Sequence, residues 1–176
     1  MTEERLDIVA PSPEVLMALG AINLLWASVE SSVSAALFSV LEMDERDFTI
    51  LIGRLEIIPK LKKLEQIMTH RGDSRTDFVK QAIARVNDLR PDRNAVTHGV
   101  YQGKTKKGEH VFFLMADLML DEEVGSARKM RVFADQELGE HASKTLDLLT
   151  SIEQAFDSKN MRKLFEGSFR VPTKFR

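Results

Sequence analysis

The run Arg90-Pro91-Asp92-Arg93-Asn94-Ala95-Val96-Thr97-His98-Gly99 places a guanidinium, an amide and an imidazole within six residues. Imidazole titrates closest to neutral pH, so it can take or return a proton. A guanidinium grips phosphate through paired N–H groups and stabilises negative charge as it develops. An amide can orient either partner. These are the parts that metal-free RNA cleavage needs: a proton moved at the 2′-hydroxyl or the leaving 5′-oxygen, and a phosphate held in place. On a helix Asn94 and His98 stand four apart and share a face. Arg93 starts off that face, but its side chain is long enough to swing back. Gly99 can take a left-handed conformation that ends the helix and leaves His98 on its last turn. The structural alternative is an ion pair from Arg93 to Asp92 or Glu30, with His98 serving as a cap.

Other chemistry is thinner. The chain has no Cys and four His, which removes thiol nucleophiles, disulfides, Fe–S clusters and thiolate zinc sites. No Gly-rich phosphate loop, HExxH or GxSxG is present. Neither a metal nor a cofactor is expected. Glu137 and His141 stand four apart on a predicted helix and read as a surface ion pair more readily than as two metal ligands. His70 falls near a helix C-terminus, where a cation suits the dipole. His110 falls in a strand with no evident partner. Lys104, Lys106 and Lys107 form a basic turn just past the motif that could follow RNA phosphates. Tyr101 or Trp26 could stack on a base, although Trp26 lies on an apolar stripe and reads as core.

These residues need elements to position them. Ser12-Pro13-Glu14 is a helix start, and apolar residues at 15, 19, 22, 26, 29, 33, 37 and 40 predict one helix over 13–43 with small residues on its other face. A second helical stretch spans 47–70, with Pro59 expected to kink or split it and Gly72 to stop it. A third begins at a capping-box pattern, Ser74-Arg75-Thr76-Asp77, and Pro91 should bend it or end it at Arg90. The pattern then changes: 100–102, a 103–108 turn and 110–115 read as a β-hairpin whose second strand is apolar on both faces. A short strand over 129–133 follows. Asp135 then caps a last helix to Asp157, striped by Leu138, Ala142, Leu146, Leu149, Ile152 and Phe156. The fold class is mainly α: an antiparallel helical bundle with a small sheet inserted before the last long helix.

The chain of 176 residues is 43% hydrophobic and 30% charged, as expected for one globular domain, and its net charge is −2. That balance gives no global attraction to nucleic acid. Locally, residues 1–47 hold nine acids and two bases, and the tail 159–176 holds six bases and one acid. The tail could fold back on the acidic start or touch phosphate. The N-terminus is acidic where a signal peptide would be basic. The longest apolar run, Val15 to Val29, is shorter than the roughly 20 residues a spanning helix needs. No membrane association is expected, and the location expected is the cytoplasm.

The run Arg93-Asn94-x-x-x-His98, late in a helical frame and followed by a hairpin and a final helix, resembles the signature of the HEPN superfamily (higher eukaryotes and prokaryotes nucleotide-binding). That resemblance implies a single HEPN-like domain with its core over about 13–157, and a homodimer that brings two Arg–His pairs into one cleft. It also implies, for many members, metal-independent endoribonuclease activity of the toxin or defence type. An antitoxin partner and an RNA substrate would follow. By the resemblance Arg93 binds phosphate, Asn94 is the polar residue after it, and His98 is the acid–base group. Family members often add an acid from an earlier helix, and Glu30, the one charged residue between Glu14 and Glu42, fits that place. Pro91 departs from the pattern, since many relatives continue their helix there. Other members have lost catalysis, so the alternatives are a non-catalytic nucleotide- or RNA-binding or dimerisation module, and a structural bundle whose motif residues never meet. A homodimer also suits the small-residue face of the first helix and the doubly apolar strand 110–115.

Overall fold

The structure is a computed structural model that describes residues 10–114 and 130–157. The acidic residues before 10 and the basic tail lie outside the described residues. In chain order the elements are α1 (Pro13–Leu41), α2 (Glu45–Leu51), α3 (Ile57–Arg71), α4 (Thr76–His98), β1 (Gly99–Lys104), β2 (His110–Leu114), β3 (Met130–Phe133) and α5 (Asp135–Phe156). The architecture is mainly helical with a small antiparallel sheet, order β1-β2-β3, before the last helix, as the periodicity predicts.

The described residues form two compact units, one drawn from 10–25, 88–114 and 130–145, the other from 26–87 and 146–157. Helices α1, α4 and α5 each contribute a part to both.

In the first unit, Ser12 caps α1: its Oγ accepts the Val15 N–H at 3.4 Å and its carbonyl the Leu16 N–H at 3.0 Å. Val15, Ile22, Ala95, Val96, Phe112, Phe133 and Leu138 form one buried cluster, with Tyr101 packed against it. The sheet supplies its floor. Tyr101 pairs with Phe112, and His110 pairs with Lys104 on one side and Phe133 on the other. A bulge between Tyr101 and Gly103 shifts the register, with Gly103 at φ 114°. Val100, Phe113 and Met130 form a cross-strand row on the opposite sheet face, where Val100 and Met130 are exposed.

In the second unit the buried residues include Trp26, Val29, Val33 and Leu37 on the predicted α1 stripe, Phe48 of α2, Leu61, Leu64 and Met68 of α3, Val79 and Val86 of α4, and Ile152 and Phe156 on the predicted α5 stripe. Aromatic pairs Phe38–Phe48 and Phe78–Phe156 meet edge-on. Gly72 ends α3 in the left-handed conformation, φ 66°.

Several sequence expectations change. The stretch 47–70 is split, but the break falls at 52–56 and not at Pro59. Pro59 sits in the first turn of α3, where its missing N–H has no intrahelical partner to lose. Helix α4 does not end at Arg90. It passes through Pro91 to His98, with the proline ring exposed and the buried pair Ala95 and Val96 anchoring the turns beyond it. Core burial there outweighs the hydrogen bond that proline removes. The α4 start is set by Asp73, not Ser74. The Asp73 carboxylate accepts the Arg75 N–H at 2.9 Å, and its carbonyl accepts the Thr76 hydroxyl at 2.7 Å. On α5, Leu146 faces out, 48% exposed, while His141, Thr145 and Leu148 occupy the buried line. By length and composition α1 is also long and apolar enough to cross a membrane. The count from sequence had stopped at Glu30.

Candidate functional site

Helix α4 carries the motif on its last two turns. Asn94 and His98 lie one turn apart, and Arg93 folds back across them. Its Nη1 donates to Asn94 Oδ1 at 3.1 Å and lies 3.4 Å from His98 Nε2. The three side chains named from sequence therefore meet. Arg93 and Asn94 are half-buried and His98 is exposed. Arginine only donates hydrogen bonds, so this contact is a hydrogen bond only for the tautomer that leaves Nε2 free to accept, with the proton on Nδ1. Asp92 turns away from Arg93, to Arg131 at 3.6 Å.

The end of α4 is tied down on both sides. Thr97 donates to Asn23 Oδ1 at 2.7 Å, and the Asn23 amide donates to the Leu19 carbonyl at 2.9 Å, linking the last turn to α1. Gly99 does not serve as a left-handed cap. It opens β1, and a Cβ there would stand 2.1 Å from the Ala95 carbonyl oxygen and 3.3 Å from Phe112 Cβ. Only glycine lets the chain turn from helix to strand this close to β2.

Sequence reasoning missed a second polar cluster in the same unit. His110, expected to lack a partner, is fully buried. Its Nε2 hydrogen-bonds the Asp135 carboxylate, and its Nδ1 lies 3.2 Å from the Tyr101 hydroxyl. A carboxylate only accepts, so Nε2 donates, and with the ring neutral Nδ1 accepts a hydrogen bond from the Tyr101 hydroxyl. The His110 bond holds the Asp135 carboxyl below the ordinary carboxylate range, against a small opposing effect of burial and with help from the charges of His110 and Lys104. Burial, then the Asp135 charge, pushes the Tyr101 phenol up. Asp135 therefore does not cap α5. That end is closed by Glu137, which accepts the Ala134 N–H at 2.7 Å. The one available signal was alternation: His110 and Phe112 share a sheet face, so a buried Phe112 implies a buried His110 that must find partners.

The other candidates resolve as follows. Glu137 and His141 form neither an ion pair nor a ligand pair, because His141 is buried and meets the Leu89 carbonyl at 3.0 Å. Tyr101 is not free to stack on a base, since its ring packs on Phe112 and its hydroxyl on His110. Trp26 is core, 1% exposed. Lys106 and Lys107 are exposed and Lys104 is half-buried, on a turn built by Thr105, whose hydroxyl donates to Glu109 Oε2 at 3.0 Å. Glu30 belongs to the second unit, where it accepts the Trp26 indole N–H at 2.8 Å. Its charge faces Lys60, a buried lysine that donates to Ser34 Oγ at 2.9 Å. Burial lowers the Lys60 pKa and Glu30 partly offsets that. Among the described residues no group of three or more His, Asp or Glu side chains is placed to hold a metal ion. In comparisons with known proteins the chain matches no family, no curated protein and no solved structure.

Proposed function

We propose that this chain is a HEPN-like, metal-independent endoribonuclease of the toxin or defence type, acting in the cytoplasm. The observation that carries this reading is the convergence of Arg93, Asn94 and His98 on one partly exposed edge of α4. In the reaction, His98 Nε2 takes the 2′-hydroxyl proton. The 2′-oxygen attacks the adjacent phosphorus, the bond to the 5′-oxygen breaks, and that oxygen leaves with a proton from an acid. The products are a 2′,3′-cyclic phosphate and a 5′-hydroxyl. Arg93 holds the phosphate and stabilises its added charge, and Asn94 orients the guanidinium. Glu30 is the accompanying acidic residue proposed from the earlier helix; it lies in the second unit on the Trp26 indole and is not the proton donor. Lys104, Lys106 and Lys107 follow the RNA backbone, and an antitoxin would cover the same edge.

The acting form in this reading is a homodimer, so that a second Arg–His pair supplies the acid. The face of α1 that carries Leu16, Met17, Gly20 and Leu24 is exposed and has no charge between Glu14 and Glu30, which suits a second copy. A monomer by size measurement in solution would remove that part.

Incubation with RNA in EDTA tests the reaction. The expected result is cleavage with cyclic ends, reduced at least about 100-fold in His98→Ala, the usual scale for a lost acid–base group. Intact RNA, or cleavage unchanged in that variant, would sink it. RNA bound but uncut would favour the non-catalytic binding module of the same fold.

A further inference from the structure

We infer that, in the free protein, Arg93 occupies the lone pair that His98 needs as a base, and that an arriving phosphate exchanges with His98 for the guanidinium. That the phosphate belongs to RNA rests on the function proposed above. The exchange itself does not.

The geometry is specific. Arg93 Nη1 carries two hydrogens, and its contacts include Asn94 Oδ1 at 3.1 Å and His98 Nε2 at 3.4 Å. The second contact is long and lies at an exposed ring, so it is weak and easily given up. A phosphate oxygen carries full charge and phosphate can take the guanidinium fork through two oxygens, which a single neutral imidazole nitrogen cannot. The shorter bond to Asn94 can persist while the rest of the fork turns, so the guanidinium stays anchored as it changes partner. Of the charged neighbours on the same turns, Asp92 is engaged by Arg131 and Arg90 points to solvent. Proton transfer by Nε2 then waits on phosphate: the base is covered when the site is empty and uncovered by the group it must act beside. Asn94 is thus a positioning residue that keeps Arg93 within reach of both partners.

Nitrogen NMR of the full chain with labelled histidine tests this at alkaline pH, where imidazole is neutral, with inorganic phosphate as the probe and His98→Gln used to assign the signal. The expected free state has the His98 proton on Nδ1. Added phosphate moves the proton toward Nε2, as does Arg93→Ala without phosphate. A free wild-type chain with the proton on Nε2, or a signal unmoved by phosphate, overturns the exchange. The wild-type measurements alone decide, so poor folding of Arg93→Ala leaves the test intact. If the exchange is seen and RNA stays uncut, the nuclease reading fails and the exchange stands. If RNA is cut and the signal is unmoved, the reverse holds.

Discussion

Burial is graded across the motif. Arg93 and Asn94 are half-buried, His98 is exposed, and the next residue, Gly99, is pressed against Ala95 and Phe112. The His98 ring is thus solvent-accessible while the backbone beside it is clamped. The clamp gives a residue-scale prediction. In Gly99→Ala the new methyl must displace backbone, not a flexible side-chain tip, so overpacking should cost about 1–3 kcal/mol. Urea unfolding would show this as a lower midpoint. A midpoint unchanged from wild type would mean that the helix-to-strand junction relaxes freely and does not hold His98. The same scale shows what residue types alone conceal. From sequence His110 has no evident partner and His141 reads as half of a surface ion pair, yet both are buried and hydrogen-bonded, to Asp135 and Tyr101 and to the Leu89 carbonyl.

Helix α4 is the element on which the site depends, and it keeps its course against its own sequence. Pro91 removes one hydrogen bond and crowds the preceding turn. The helix continues because Ala95 and Val96 bury beyond it and Thr97 is fastened to Asn23. Those anchors keep Asn94 and His98 in register one turn apart. Since Pro91 is exposed, Pro91→Ala should restore the bond without a new clash and raise stability by about 1 kcal/mol or more. Thermal unfolding would check it, and a lowered melting temperature would show instead that a bend at Pro91 is part of the packing. The caps follow one rule at this scale: the acid that closes a helix is the one whose backbone geometry suits it. Asp73 acts at α4 and Glu137 at α5, while Asp135 is drawn off by His110.

For the whole molecule, net charge near zero says little and the placement of each charge says more. Among the described residues three carboxyls lie below their ordinary range: Asp73, held at about 2 chiefly by the Arg75 side chain, Asp135, held down by His110, and Glu14, held down by backbone and Ser12 hydrogen bonds at the start of α1. A carboxyl lowered on folding contributes stability that is complete above its unfolded value near 4 and lost as pH falls through its folded value. The melting temperature should therefore hold from neutral pH to about 5 and fall below about 4. The fall should be shallower in Asp73→Asn. Asp73 is partly exposed and Asp135 and Glu14 are exposed, so screening keeps the effect small. Identical acid limbs in wild type and variant would assign the loss to other carboxyls.

Helix periods, the sheet insertion before α5, the α1 stripe and the joint reach of Arg93, Asn94 and His98 were all legible in the sequence. Each depends on residues within a turn or two, or on alternation along one strand, and local geometry is set by local chemistry. The break ahead of Pro59, the passage of α4 through Pro91 and the exposure of Leu146 were not legible, because each is a contest between local preference and burial against distant elements. The Tyr101–His110–Asp135 cluster draws on β1, β2 and the first residue of α5. Only tertiary packing brings such residues together, and once His110 is buried there, the cost of an unsatisfied imidazole selects its partners.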